Sequence, residues 1–140
     1  MAVQSAELRV GNLMTIDPIV IEPEEMAAEA ERLLKTYRVS GLPVVAGGEV
    51  VGVISQSDLM TAHSSEMIGA NWDRLRVRHL MSAPAVTVHA EATIADASHL
   101  MLSRHIHRLV VVDDGGAPGG VVTPLDLLRS ILADPDPAVS

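Results

Sequence analysis

The chain has 140 residues, about one ordinary domain, and 48% of them are hydrophobic against 20% charged, a composition that builds a buried core and excludes a disordered acidic tail. Ten lysines and arginines against 18 aspartates and glutamates leave a net charge of −8, which repels nucleic acid and anionic membrane surfaces, and the sole aromatics, Trp72 and Tyr37, give no stacking platform for single strands. The absence of cysteine removes disulfides, thiolate zinc sites and a cysteine nucleophile; no run approaches the roughly 18 apolar residues of a membrane span, and Met1 to Arg9 lacks a secretory pattern, so a cytoplasmic location is expected.

In chain order, a short turn at Leu13-Met14 leads to an extended, β-branched segment, Ile19-Val20-Ile21. A helix follows, with Met26, Ala27, Ala30, Leu33, Leu34 and Tyr37 at three-to-four spacing and Glu24, Glu25 and Glu29 on its dipole-favoured early turns. Leu42 to Val45 and Val50 to Ile54 flank Ala46-Gly47-Gly48 as a hairpin, and a second helix starts near Gln56. A polar stretch from His63 to Arg76 carries Trp72, expected as an anchor onto the surface or across a dimer contact.

The same order then recurs. Shifting the chain by 67 positions, Val10 onto Val77, superposes Leu13-Met14 on Leu80-Met81, Glu24 on Glu91, Leu33 on Leu100 and Leu42 on Leu109. After one inserted residue, Gly52, Val53, Asp58 and Leu59 meet Gly120, Val121, Asp126 and Leu127. The second copy has its extended segment at Val86-Thr87-Val88 and a helix whose Thr93 and Asp96 form a capping box above the stripe Ile94, Ala97, Leu100 and Met101. Its hairpin flanks Asp113 to Gly120, and its closing helix starts near Pro124. The expected organisation is a repeat at 10–62, a linker at 63–76, a second repeat at 77–132 and an acidic tail at 133–140 containing Asp134-Pro135-Asp136-Pro137. The order β-α-β-β-α, twice, predicts a mixed α/β fold with two small sheets packed face to face.

The chemistry-bearing positions lie where the last strand of each copy runs into its closing helix, Gly52 to Asp58 and Gly120 to Asp126. Each reads glycine, two aliphatics, a hydroxyl residue (Ser55 or Thr123), two variable residues and aspartate. Free N–H groups at a helix start favour anionic or polyhydroxyl ligands, and a carboxylate there suits the paired hydroxyls of a ribose. The same residues equally make a capping box that needs no ligand, with Pro124 at the favoured first helical position.

Residues 10 to 132 resemble a tandem pair of CBS domains, a Bateman module. The resemblance rests on Leu13-Met14-Thr15 with Pro18, Leu80-Met81-Ser82 with Pro84, Tyr37 to Val45, His105 to Asp113 and the two Gly-to-Asp segments. It implies two repeats related by a pseudo-twofold, a cleft for up to two adenosine derivatives, and modules that pair into homodimeric discs and act as sensors rather than enzymes. Carried over by residue, one site uses Ser55, Ser57 and Asp58 with Val86, His107 and Arg108. That last pair resembles the phosphate-contacting stretch of the γ subunit of AMP-activated protein kinase. The other site uses Thr123 and Asp126 with Ile19, Val39 and Ser40; with Ser40-Gly41 in place of His107-Arg108 and Leu125 in place of a second hydroxyl, it binds phosphate poorly or nothing.

The expectation is therefore a stand-alone regulatory module for AMP, ADP or ATP, without required cofactor, signalling to a separate protein by a packing change. A ligand-free dimeric scaffold and a binder of S-adenosylmethionine or NAD(H) are the alternatives. No nucleophile is paired with a base and no Gly-rich loop with lysine cradles phosphate, so no catalysis is expected. His99, His105 and His107 lack carboxylate or cysteine support for zinc and are assigned to the surface or to phosphate. Arg74, Arg76 and Arg78 are expected on a solvated linker face, with Arg78 in reach of an anion, and Met60, Met67 and Met101 in core or interface.

Overall fold

The computed structural model describes residues 8–16, 18–65 and 70–132; Met67 and the stretch Asp134 to Pro137 lie outside these. In chain order the described elements are α1 (Val10–Leu13), β1 (Thr15–Ile16), α2 (Ala27–Tyr37), β2 (Gly41–Ala46), β3 (Glu49–Ser55), α3 (Gln56–Ser64), a 3₁₀ turn at Trp72–Arg74, α4 (Val77–Leu80), β4 (Thr87–His89), α5 (Ile94–Arg104), β5 (Leu109–Val112), β6 (Pro118–Val122) and α6 (Pro124–Leu132). They form two compact units, one of Pro18–Ala85 and one in which the segment before Pro18 joins the chain from Val86 onward.

In the 18–85 unit, β2 and β3 pair antiparallel through a two-residue turn at Gly47 and Gly48, whose φ of 60° and 82° are the left-handed pair such a turn demands. Ile21, Ala27, Ala30, Leu34, Leu42, Val44, Ile54, Leu59 and Val77 make its core. Trp72 packs against this core, with its ring 3.9 Å from that of His63, so the linker aromatic is anchored inside its own unit. The strand expected at Ile19-Val20-Ile21 shrinks to one parallel bridge, Ile21 to Val44, in which Ile21 N–H donates to Pro43 O and Val45 N–H donates to Ile21 O. Pro23, with no N–H to donate, stands where the second copy has Ala90, and there the segment does form β4. Glu24 and Glu25 precede α2 rather than opening it. Glu24 binds Arg78 at 2.9 Å while its carbonyl accepts from Arg76 at 2.6 Å, so two of the three linker arginines are engaged by the protein itself.

The other unit has a four-stranded sheet in the order β1-β6-β5-β4, with β4 and β5 parallel and the remaining pairs antiparallel. Its core is Val10, Val88, Ala97, Met101, Leu109, Val111, Val122 and Leu127. Val10 and Val77, equivalent in the repeat, are both wholly buried, each in the unit built from the other copy's strands. The leading segments are thus exchanged: Thr15 pairs with Val121 of β6, and Ser82 bridges Val53 of β3. Met101 is core as expected, whereas Met60 is exposed. No described helix is long and apolar enough to cross a membrane.

Candidate ligand-binding site

Both hydroxyl-x-x-Asp segments form complete capping boxes. Ser55 N–H and Oγ–H donate to Asp58 Oδ2 at 2.8 and 2.9 Å, and Asp58 N–H donates back to Ser55 Oγ at 3.2 Å. Thr123 N–H and Oγ1–H donate to Asp126 Oδ2 at 2.8 and 3.0 Å, and Asp126 N–H returns to Thr123 Oγ1 at 3.4 Å. The box holds one carboxylate oxygen of each aspartate and leaves the other, Oδ1, outside it. Oδ1 of Asp126 lies 3.9 Å from Arg129, and both aspartates are half-buried. The side chains are therefore pre-oriented, at the N-terminal ends of α3 and α6, with an acceptor to spare.

Within each unit, strand register sets beside each box residues that the resemblance assigns to the other site. Gly41 pairs with Ser55 and Gln56 N–H donates to Ser40 O at 2.9 Å, so Val39 and Ser40 adjoin the Ser55–Asp58 box. Leu109 pairs with Val122, so His107 and Arg108 adjoin the Thr123–Asp126 box in the other unit. Ser57 is exposed on the first turn of α3, and Ile19 and Val86 are half-buried against their own cores. A groove of about 400 Å³ runs beside Leu34, Lys35, Arg38, Val39, Ser40 and Gln56. Its repeat counterpart, about 620 Å³, includes Met101, Leu102, His105, Ile106, His107 and Pro124. Lys35, Arg38 and Gln56 are not among the site residues the sequence predicts, because exposed polar residues at a helix end carry no local signature of a groove. His99, His105 and His107 are exposed, and among the described residues no three His, Cys, Asp or Glu side chains gather for a metal.

The glycine that opens each motif has a packing cause. A β-carbon at Gly52 would stand 2.7 Å from Ser82 O, and one at Gly120 2.6 Å from Thr15 O and from Met14 Sδ. The Leu-Met-Thr and Leu-Met-Ser segments cross these glycines at main-chain distance, which ties together two features that read as separate in the sequence.

Comparison with known proteins follows the same lines. The CBS domain family matches residues 10–65 and 77–133. Over 119 residues the chain is 30% identical to an inosine-5'-monophosphate dehydrogenase of Korarchaeum cryptofilum, a match covering 85% of this chain and 23% of the dehydrogenase. It is 32% identical to an uncharacterized protein, MK0525, of Methanopyrus kandleri, covering 86% of this chain and 61% of that one. The chain thus spans less than two thirds of either relative. Among solved structures, CBSX2 in complex with AMP is 30% identical with a TM-score of 0.79, covering 90% of this chain and 97% of that one. The CBS domain of a bacterial CNNM/CorC family Mg2+ transporter in complex with ATP, 24% identical with a TM-score of 0.79 over 94% of this chain and 92% of that one, shares the fold. The internal repeat, the element order and the family match over both copies agree: this chain belongs to the CBS-domain family and carries the domain twice.

Proposed function

We propose that this CBS pair binds an adenosine-containing nucleotide, AMP, ADP or ATP, and passes the binding on to another protein as a change of packing, without catalysis of its own and in the cytoplasm. The observation that carries this reading is the carboxylate of Asp58, held by Ser55 through Oδ2 with Oδ1 left outside the capping box. One fixed oxygen and one available acceptor suit a vicinal diol. Ser57 adds a hydroxyl on the same turn, and His107 with Arg108 are the donors that the resemblance assigns to the phosphate of this ligand. Of the two sets that the resemblance assigns, the one of Thr123 and Asp126 with Ile19, Val39 and Ser40 is the poorer, since Ser40-Gly41 brings no cation and Asp126 already faces Arg129. The relative CBSX2, solved with AMP, supports the ligand class.

Isothermal calorimetry and thermal shift with AMP, ATP, adenosine and S-adenosylmethionine test it. At a ligand concentration of 100 dissociation constants the chain gains about 2.7 kcal/mol, several degrees in Tm. Asp58→Asn, which keeps an acceptor for the cap, abolishes binding with little change in the unliganded Tm. Arg108→Ala weakens AMP and ATP at least tenfold and adenosine little. A ligand-free scaffold is the second reading, favoured by the self-sufficiency of both capping boxes; absence of any shift with all four ligands establishes it.

A further inference from the structure

The groove of the 18–85 unit has a chemistry that its repeat counterpart lacks. Its lining is Leu34, Lys35 and Arg38 from the end of α2, Val39 and Ser40 from the connection to β2, and Gln56 from the first turn of α3. At the positions of Lys35, Arg38, Ser40 and Gln56 the other unit has Leu102, His105, His107 and Pro124. Two side chains of permanent positive charge therefore line one groove, and none lines the other.

In a chain of net charge −8, such cations are open to an outside anion only where the neighbouring carboxylates are already engaged. They are engaged here. The acids of α2 and α3 are Glu29, Glu31 and Asp58, and none lines the groove. Glu29 is paired with Arg32, Glu31 Oε2 lies 3.0 Å from His63 Nε2, and Asp58 is tied to Ser55 in its capping box. What is left for Lys35 is a loose contact with Glu31 Oε1 at 3.9 Å, and Arg38 enters no ion pair among the described residues. The start of the nine-residue α3, where Gln56 stands, adds the partial positive charge of a helix N-terminus. Arg38 is moreover held at φ 54° and ψ 44°, a conformation that glycine adopts without strain. A guanidinium kept there beside a groove is an outlier that the helix end does not require, and it points to use.

We propose that this groove is a binding site for a phosphate group, built on Lys35, Arg38 and Gln56 and using none of Ser57, Asp58, His107 and Arg108. The Arg38 fork takes two phosphate oxygens, and the Lys35 ammonium and the Gln56 amide supply further donors. Two-dimensional 1H–15N NMR of the full chain tests it, in titrations with inorganic phosphate and with AMP at an ionic strength held constant with chloride. Inorganic phosphate should give saturable shifts at the amides of Arg38, Val39, Ser40 and Gln56, with a dissociation constant of about 1 mM. Arg38→Asn, a residue that tolerates the left-handed conformation, should raise that constant at least about tenfold, and Lys35→Gln, a good helix former, about threefold. Circular dichroism and Tm check that both are folded. His105→Asn, the same change at the equivalent turn of the other unit, leaves the response intact. Asp58→Asn leaves it intact too, so failure of this site and failure of the nucleotide reading are told apart. Groove shifts with AMP as well as with inorganic phosphate identify a phosphoryl group on a larger ligand as an occupant, and shifts with inorganic phosphate alone identify the free anion. Shifts that do not saturate or that chloride reproduces, a dissociation constant unchanged in Arg38→Asn, or a response lost in Asp58→Asn overturns the proposal.

Discussion

Gly120 has no room for a methyl group, since Thr15 O and Met14 Sδ already occupy the space a β-carbon needs. Gly120→Ala should therefore cost about 1 to 3 kcal/mol through forced displacement of the crossing segment, read as a Tm lowered by several degrees. Gly115→Ala, whose nearest neighbour would be Asp113 Oδ1 at 3.5 Å in an exposed loop, should stay within about 0.5 kcal/mol. The recurrence of glycine at both motifs was plain in the sequence. Its reason was not, because Ser82 and Thr15 approach from about 30 and 105 residues away in the chain, and local pattern contains no information about which backbone passes overhead. The aspartates behave oppositely: a hydroxyl three residues before an acid at a strand-helix junction is a local motif, and Asp58 and Asp126 stand where that motif puts them.

Helices α2 and α5 both end on a left-handed residue that is not glycine, Arg38 and His105, each with φ 54° and ψ 44°. A β-carbon in that conformation is unfavourable by about 1 kcal/mol. Arg38→Gly should accordingly raise stability by up to about 1 kcal/mol, less what is lost when a cation leaves a helix C-terminus, and a higher urea midpoint at unchanged m-value checks it. The helices, both hairpins and the start of α3 and α6 were legible because periodicity, caps and turn glycines act within a few residues. The extended segment of the first copy departs from its local pattern for a non-local reason: β-branched Ile19-Val20-Ile21 has the propensity, yet a strand needs a partner ladder, and Pro23 stops it after one bridge. The single turns α1 and α4, read as Leu-Met turns, are helical because Val10 and Val77 plug a core.

At the scale of the whole molecule, the copy and the compact unit are different cuts of the chain. Val10, Met14 and the strand Thr15–Ile16 complete the sheet and core formed by the chain from Val86 onward. Removing residues 1–16 should therefore destabilise that unit first. With Trp72 as the only tryptophan and lying in the 18–85 unit, far-UV circular dichroism should show a transition at lower temperature than Trp72 fluorescence, whereas the intact chain should show the two closer together. The sequence by itself determined the duplication, the longer helices and the hairpins, the capped aspartates and membership of the CBS family, since these rest on periodicity and on motifs a few residues long. Tertiary structure alone decided the exchange of leading segments, the meaning of the paired glycines and the division of two equivalent grooves into one polar and one apolar. Those depend on which distant backbones and side chains end up within a few ångströms of one another, a quantity set by packing rather than by order along the chain.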